Sequence, residues 1–110
     1  MDIKSFLLNN KILPNIAGFN YLISAVDETK NYHLNNKGKC QITKYLYPKI
    51  AKDNNVTASS VGRGIRYCIS KIKDEKFLEI GLNKNPTNSE VIVFFAIMWI
   101  KKGDIWIILY

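Results

Sequence analysis

Residues 57–73 divide their side chains between two opposite sides of an α-helix, and this division restricts the fold more than any other feature of the sequence. Counted at 100° per residue from Thr57, the apolar side chains fall between about 20° and 120°, and the polar ones between about 180° and 300°. Thr57 itself has the side chain of an N-cap. The apolar side consists of Ala58, Val61, Ile65, Cys68, Ile69 and Ile72, and the polar side of Ser59, Ser60, Arg63, Arg66, Tyr67 and Ser70, with Asp74 on the same side one position past the stretch. The pattern therefore predicts a helix with one buried face and one solvent-facing face.

The rest of the chain also has helical spacing rather than strand alternation. Apolar positions recur every three to four residues over 2–10, 15–28 and 42–53, and a short helical piece follows at 77–80. Thr87 and Glu90 have the spacing of a capping box that begins a last helix. Residues 29–38 and 81–86 are predicted as loops, 54–56 as a turn, and 105–110 are ambiguous. With 110 residues, 47% of them apolar, the sequence predicts one all-α domain.

The net charge of +7 lies entirely in the middle of the chain. Residues 37–76 hold ten Lys or Arg against three Asp or Glu, whereas residues 1–36 and 77–110 each balance to zero. A block of one sign is typical of an element that binds phosphates, and it also occurs in domains that bind acidic proteins. Charge alone leaves both kinds of partner open.

The basic block contains a helix, a tight turn and the amphipathic helix, which is the arrangement of a helix-turn-helix over about residues 42–73. Arginine can grip the edge of a guanine in the major groove with two hydrogen bonds, and Ser, Thr and Lys can contact phosphates. The predicted DNA-binding residues are Ser59, Ser60, Arg63, Arg66 and Tyr67 on the second helix, with Lys44, Lys49 and Lys71 reaching phosphates. An ordinary surface helix with two arginines is the alternative interpretation of the same pattern.

Four segments resemble the C-terminal effector domain of the sporulation-initiation response regulators of the stage 0 sporulation protein A type. They are ILPNIAGFNYL (12–22), ITKYLYPKIA (42–51), VTASSVGRGIR (56–66) and PTNSE (86–90), and they follow the order of that family. The resemblance implies a compact six-helix domain whose helix-turn-helix binds a short promoter box in double-stranded DNA, with two copies head to tail. It also implies DNA contacts for Arg63 and Arg66, and it makes the sigma subunit of RNA polymerase a candidate partner.

The sequence differs from that family at several positions. Position 60 is usually basic in the family and is Ser here, and position 67 is often His and is Tyr here. Gly62 and Gly64 replace better helix formers. The 110 residues contain no receiver domain, so we expect a regulator without the family's phosphorylation switch. An interaction module or antagonist that keeps the fold and pairs with itself or a full-length relative is the alternative function.

Residues 91–100 are apolar on every side of a helix, and such a helix must be covered all round. In a domain of 110 residues we expect the other helices to cover one face and part of a second, which leaves an apolar remainder. We expect a homodimer through this helix, with Phe94, Phe95 and Trp99 as anchors. The alternative is an intramolecular staple in which residues 105–110 pack back on the helix. Ten apolar residues are too few to cross a bilayer, which needs about 20, so no membrane association is predicted.

Catalytic and metal-binding patterns are weak in this sequence. Cys40, Cys68 and the single His33 cannot fill a four-ligand zinc site by themselves, and we expect both thiols to be reduced. His33 is predicted in a polar loop without a nucleophile partner, and no Gly-rich phosphate loop is present. The sequence therefore predicts a protein that is not an enzyme, binds no cofactor or metal and, lacking a signal peptide, resides in the cytoplasm.

Overall fold

The computed structural model describes residues 2–35 and 40–109, with the backbone alone over 102–109. In that part of the chain the elements are six α-helices and one wide, π-helical turn, Ile42–Leu46, that leads directly into the third helix. No strand occurs among the described residues, so the predicted all-α fold is confirmed. The helices are α1 (Ile3–Asn9), α2 (Ala17–Leu34), α3 (Tyr47–Asn54), α4 (Ala58–Ser70), α5 (Asp74–Ile80) and α6 (Asn88–Leu109).

The core forms around α2, which packs against both α4 and α6. Phe19 and Leu22 of α2 are fully buried, as are Val61 and Ile65 of α4, where the amphipathic pattern placed the apolar face. The ring of Phe6 lies 5.7 Å from that of Phe77 and 5.3 Å from that of Phe95, centroid to centroid, which joins α1, α5 and α6. The predicted apolar face of α4 is therefore confirmed as the face that the core covers.

The helices α2 and α4 cross at two glycines. A Cβ atom at Gly18 would meet the backbone carbonyl of Gly64, and one at Gly64 would lie 3.1 Å from the ring of Tyr21. Gly62 faces the ring of Tyr47, where a Cβ would lie 3.1 Å from Cε2. Gly64 thus gives up helix propensity at a point where two backbones come close together.

The second helix is longer than its apolar pattern predicted. Residues 29–34 continue α2 to Leu34, so the predicted loop is wrong there, and His33 lies in the last turn of α2. Thr29 is buried, and the ring of Tyr32 packs on the core 5.4 Å from that of Tyr45. The stretch was predicted as a loop because it is polar, although two of its residues, Thr29 and Tyr32, face the core. Residues 36–39 of the predicted loop lie outside the described residues.

The boundaries of α4, α5 and α6 follow local hydrogen bonds. The Thr57 hydroxyl accepts from the Ser60 amide at 3.1 Å, so the predicted N-cap is confirmed, and α4 ends at Ser70 rather than at 73. The helix α5 begins at Asp74, three residues before the predicted start. At α6 the Thr87 amide donates to the Glu90 carboxylate at 3.1 Å and the Glu90 amide donates to the Thr87 hydroxyl at 3.1 Å, which confirms the capping box.

The helix α6 is covered on one side and not all round. Val91, Ile92, Phe95 and Ala96 are buried, whereas Met98 and Trp99 are 46% and 44% exposed. Phe95 is 3% exposed within the core, so its predicted role as an interface anchor is wrong. The Lys30 ammonium lies 3.5 Å from the centroid of the Trp99 ring. The backbone of α6 continues as one helix to Leu109, so residues 105–109 do not fold back along it as a staple.

None of the helices, over the residues that the structure describes, is long and apolar enough to cross a membrane.

Candidate nucleic-acid interface

The turn between α3 and α4 has the geometry of a glycine-type helix end formed by an asparagine. Asn55 adopts a left-handed conformation with φ 55°, which Asn tolerates better than most residues. The Val56 amide donates to the Ala51 carbonyl at 2.9 Å and the Asn55 amide to the Lys52 carbonyl at 3.3 Å. These two bonds close the last turn of α3 and direct the chain into α4. The predicted turn at 54–56 is confirmed, and α3 and α4 form the predicted helix-turn-helix.

A residue at the start of α6 holds the two helices of this motif together. The side-chain nitrogen of Asn88, Nδ2, donates to the Tyr47 hydroxyl of α3 at 3.1 Å and to the Gly62 carbonyl of α4 at 3.0 Å. Burial raises the pKa of Tyr47 above its usual 10.0, so its hydroxyl stays protonated into alkaline solution. Reasoning from the sequence missed this role of Asn88, although PTNSE was among the segments that carry the family resemblance.

The solvent-facing side of α4 brings four of the predicted residues together. Ser59, Arg63, Tyr67 and Lys71 are exposed along it, and Tyr67 is 53% exposed. The Lys71 ammonium lies 4.8 Å from the centroid of the Tyr67 ring. Arg63 has no hydrogen-bond or ion-pair partner among residues 2–35 and 40–101, so its guanidinium is available to a ligand.

The other four predicted residues differ in their exposure and in whether they already have hydrogen-bond or ion-pair partners within the protein. Ser60 is half-buried, and its hydroxyl shares a 2.8 Å hydrogen bond with that of Thr57. Lys44 is exposed, and it lies on the wide turn that precedes α3 in the sequence, not on α4. Lys49 and Arg66 are both engaged within the protein.

Lys49 forms an ion pair that joins α3 to α2. Its ammonium lies 2.9 Å from the Glu28 carboxylate, and the hydrogen bond to Glu28 raises the pKa of Lys49. The carboxylate of Glu28 neutralises the charge of Lys49 locally, which weakens the attraction of this lysine for a phosphate.

Arg66 contacts the connection between α5 and α6. Its Nη1 donates to the Pro86 carbonyl at 2.9 Å, and its Nη2 to the Asn85 side-chain oxygen at 3.4 Å. This contact lies 20 residues away in the sequence and leaves no local pattern by which it could have been predicted.

The two cysteines are buried and unpaired. Burial raises the pKa of both the Cys40 and the Cys68 thiol, which keeps them protonated and unreactive at neutral pH. In the part of the chain that the structure describes, no three His, Cys, Asp or Glu side chains are grouped so that they could hold a metal ion.

A comparison with protein families finds a match over residues 3–98 to the model described as "Sporulation initiation factor Spo0A C terminal". The match begins with α1, includes the whole helix-turn-helix and ends within α6. This family consists of the DNA-binding effector domains of sporulation regulators. With its six helices in the described residues, its Asn55 turn and its basic middle segment, the chain belongs to the Spo0A C-terminal family.

Proposed function

We propose that the chain is a sequence-specific transcription regulator that places α4 in the major groove of a promoter box. The observation that carries this proposal is the unpaired guanidinium of Arg63 in the middle of the solvent-facing side of α4. A major groove about 12 Å wide admits one α-helix, and an arginine that points outward from it can grip guanine O6 and N7. Ser59 and Tyr67 flank Arg63 on the same side, where they can contact neighbouring bases or the backbone.

Exposed lysines before α3 and after α4 supply the sequence-independent part of binding. Lys71 follows α4 next to Tyr67, and Lys44 lies on the turn that leads into α3. Both are exposed, and neither has an ion-pair partner within the described part of the chain. Ammonium groups placed in this way position a domain on the duplex through its phosphates.

The proposal is tested by binding of a fluorescent promoter duplex over a salt series. We expect log Kd to rise linearly with log salt concentration, with a slope of about 0.9 for each phosphate that the chain neutralises. Lys71→Ala lowers this slope by about 0.9, since it removes one such contact.

The matched control is Lys4→Ala, which removes an equal charge from an exposed position on α1. We expect Lys4→Ala to leave the slope unchanged. Equal effects of both substitutions would mean that net charge alone attracts DNA, and no binding to any duplex at low salt would refute the proposal.

A second function, pairing of two copies of the chain, is supported by the outer side of α6. Met98 and Trp99 are about half exposed, and Phe94 is half-buried. Soluble monomers seldom leave large apolar side chains side by side in water. We infer a homodimer in which Phe94 and Trp99 are anchors, with Phe95 excluded because it belongs to the core.

Sedimentation of the intact chain tests the homodimer. Met98→Glu should convert the dimer to a monomer, whereas Leu13→Glu, at another exposed apolar position, should not. A wild-type monomer well above micromolar concentration would refute pairing.

The sigma subunit of RNA polymerase is a further candidate partner, tested by titrating it onto the DNA-bound chain. A promoter-binding regulator of this type works in the cytoplasm, where the promoter DNA is.

A further inference from the structure

The guanidinium of Arg66 holds the connection between α5 and α6 rather than facing solvent. Arg66 lies at the edge of the polar side of α4 and is half-buried, in contrast to exposed Arg63. Its two terminal nitrogens donate to the Pro86 carbonyl at 2.9 Å and the Asn85 side chain at 3.4 Å. These contacts use two of the five N–H donors of the guanidinium and fix its orientation toward the loop, so a bidentate grip on guanine would have to come from the other three donors or from a rearranged side chain.

The loop that Arg66 holds has a second anchor on α5. The backbone N–H of Asn85 donates to the Asp74 carboxylate at 2.9 Å, and Asn85 adopts a left-handed conformation with φ 45°. Pro86, the next residue, is buried. Arg66, Asn85 and Asp74 thus form a chain of contacts from α4 through the loop to α5.

The same loop leads into the residue that joins the helix-turn-helix. Asn88 follows Pro86 by two residues and donates to Tyr47 of α3 and to the Gly62 carbonyl of α4. Since Gly62 lies one helical turn before Arg66, the loop is fixed to α4 at two successive turns. A shift of the loop would move Asn88 and with it the angle between α3 and α4.

We propose that Arg66 is a positioning residue: together with Asp74 it fixes the 85–88 segment, and through Asn88 it sets the orientation of α4 against α3 for DNA binding. This role rests on the proposed function, and it replaces the direct DNA contact predicted from the sequence. Arg63 is then the arginine of α4 that contacts bases.

The first test uses unfolding of the full chain without DNA. Arg66→Ala and Asp74→Ala should each raise the equilibrium constant of unfolding about tenfold, because a charged hydrogen-bond partner is lost. The double variant should be little worse than either single variant, since both break one chain of contacts. Glu75→Ala is the matched control: it removes the same charge from the same first turn of α5, where Glu75 is exposed, and it should combine additively with Arg66→Ala.

Additive effects of Arg66→Ala and Asp74→Ala would overturn the proposal. So would an Arg66→Ala variant as stable as the wild type.

The second test measures DNA binding at a temperature where every variant is fully folded. Removing an acidic side chain should by charge alone strengthen binding to DNA. We expect the opposite for Asp74→Ala, a loss of several-fold on the promoter duplex, and no loss for Glu75→Ala. Arg66→Ala should leave the salt slope within error of the wild-type value, whereas a phosphate contact would lower it by about 0.9.

Two results of the binding test would contradict the positioning role. These are wild-type or stronger binding by Asp74→Ala, and a lowered salt slope for Arg66→Ala. If the wild-type chain binds no duplex, the proposed function fails, whereas the unfolding test still decides whether Arg66 and Asp74 act as one unit.

Discussion

The crossing of α2 and α4 at Gly18 gives a sharp test of the packing. A Cβ atom added at Gly18 would lie 2.5 Å from the Gly64 carbonyl carbon, still nearer to its oxygen, and 2.8 Å from Cys68 Sγ. Ordinary contact begins at 3.4 Å, so the two backbones would have to separate by about 0.9 Å or more. A gap of this size removes roughly a quarter to half of the dispersion energy of each contact that it opens.

We therefore expect Gly18→Ala to lower the free energy of unfolding by about 3 kcal/mol, the upper end of the usual cost of overpacking, because backbone atoms cannot rotate away. For a domain of this size that corresponds to a drop in Tm of roughly 12 °C or more. Thermal unfolding followed by circular dichroism measures it.

Gly64→Ala is the control on the opposite helix. Its Cβ would meet the Tyr21 ring at 3.1 and 3.3 Å, so the required shift is only a few tenths of an ångström and falls on a side chain rather than on backbone. Alanine also gains about 1 kcal/mol of helix propensity there, so the net change should stay within about 1 kcal/mol. A Gly18→Ala protein as stable as the wild type would refute the close approach of the two backbones.

Further predictions concern protonation. Burial raises the pKa of Cys68 above 9.0 and that of Tyr47 above 10.0, so above about pH 9 the unfolded chain releases protons that the folded protein retains. Stability must then fall as the pH rises, and the midpoint of urea unfolding should be lower at pH 10 than at pH 7; an equal or higher midpoint would contradict this. Cys40 and Cys68 should react with iodoacetamide at pH 8 only after denaturation, and stoichiometric labelling of the native protein, read by mass spectrometry, would contradict their burial.

Periodicity predicted the parts of the fold in which the pattern is local. The apolar face of α4, the Thr57 cap and the Thr87–Glu90 capping box depend on residues three or four positions apart, and all three are confirmed. The predicted end of α2 at residue 28 was wrong because Thr29 and Tyr32 face the core despite their polar atoms, and the helix continues to Leu34. Partial coverage of α6 is confirmed, but an apolar run does not show which side the other helices cover, so Phe95 lies in the core instead of at an interface.

Composition could identify the cations of the candidate interface but not their partners. Lys49 pairs with Glu28 across 21 positions and Arg66 with Pro86 across 20, and no spacing rule connects such residues. The same limit applies to Asn88, whose side chain joins α3 to α4 from the start of α6. Long-range contacts therefore distinguish Arg63, which has no partner among the described side chains, from Arg66, which is hydrogen-bonded to the 85–86 segment.

The role of Arg63 in reading DNA is tested most directly by one comparison. The affinity of Arg63→Ala is measured on a duplex that the wild-type chain selects from a random pool, and on an unselected duplex of equal length. A base contact predicts a loss of about 1–3 kcal/mol, roughly five- to 150-fold, on the selected duplex and a much smaller loss on the other. Equal losses on both duplexes would mean that Arg63 touches only phosphate, and they would contradict sequence-specific recognition by α4.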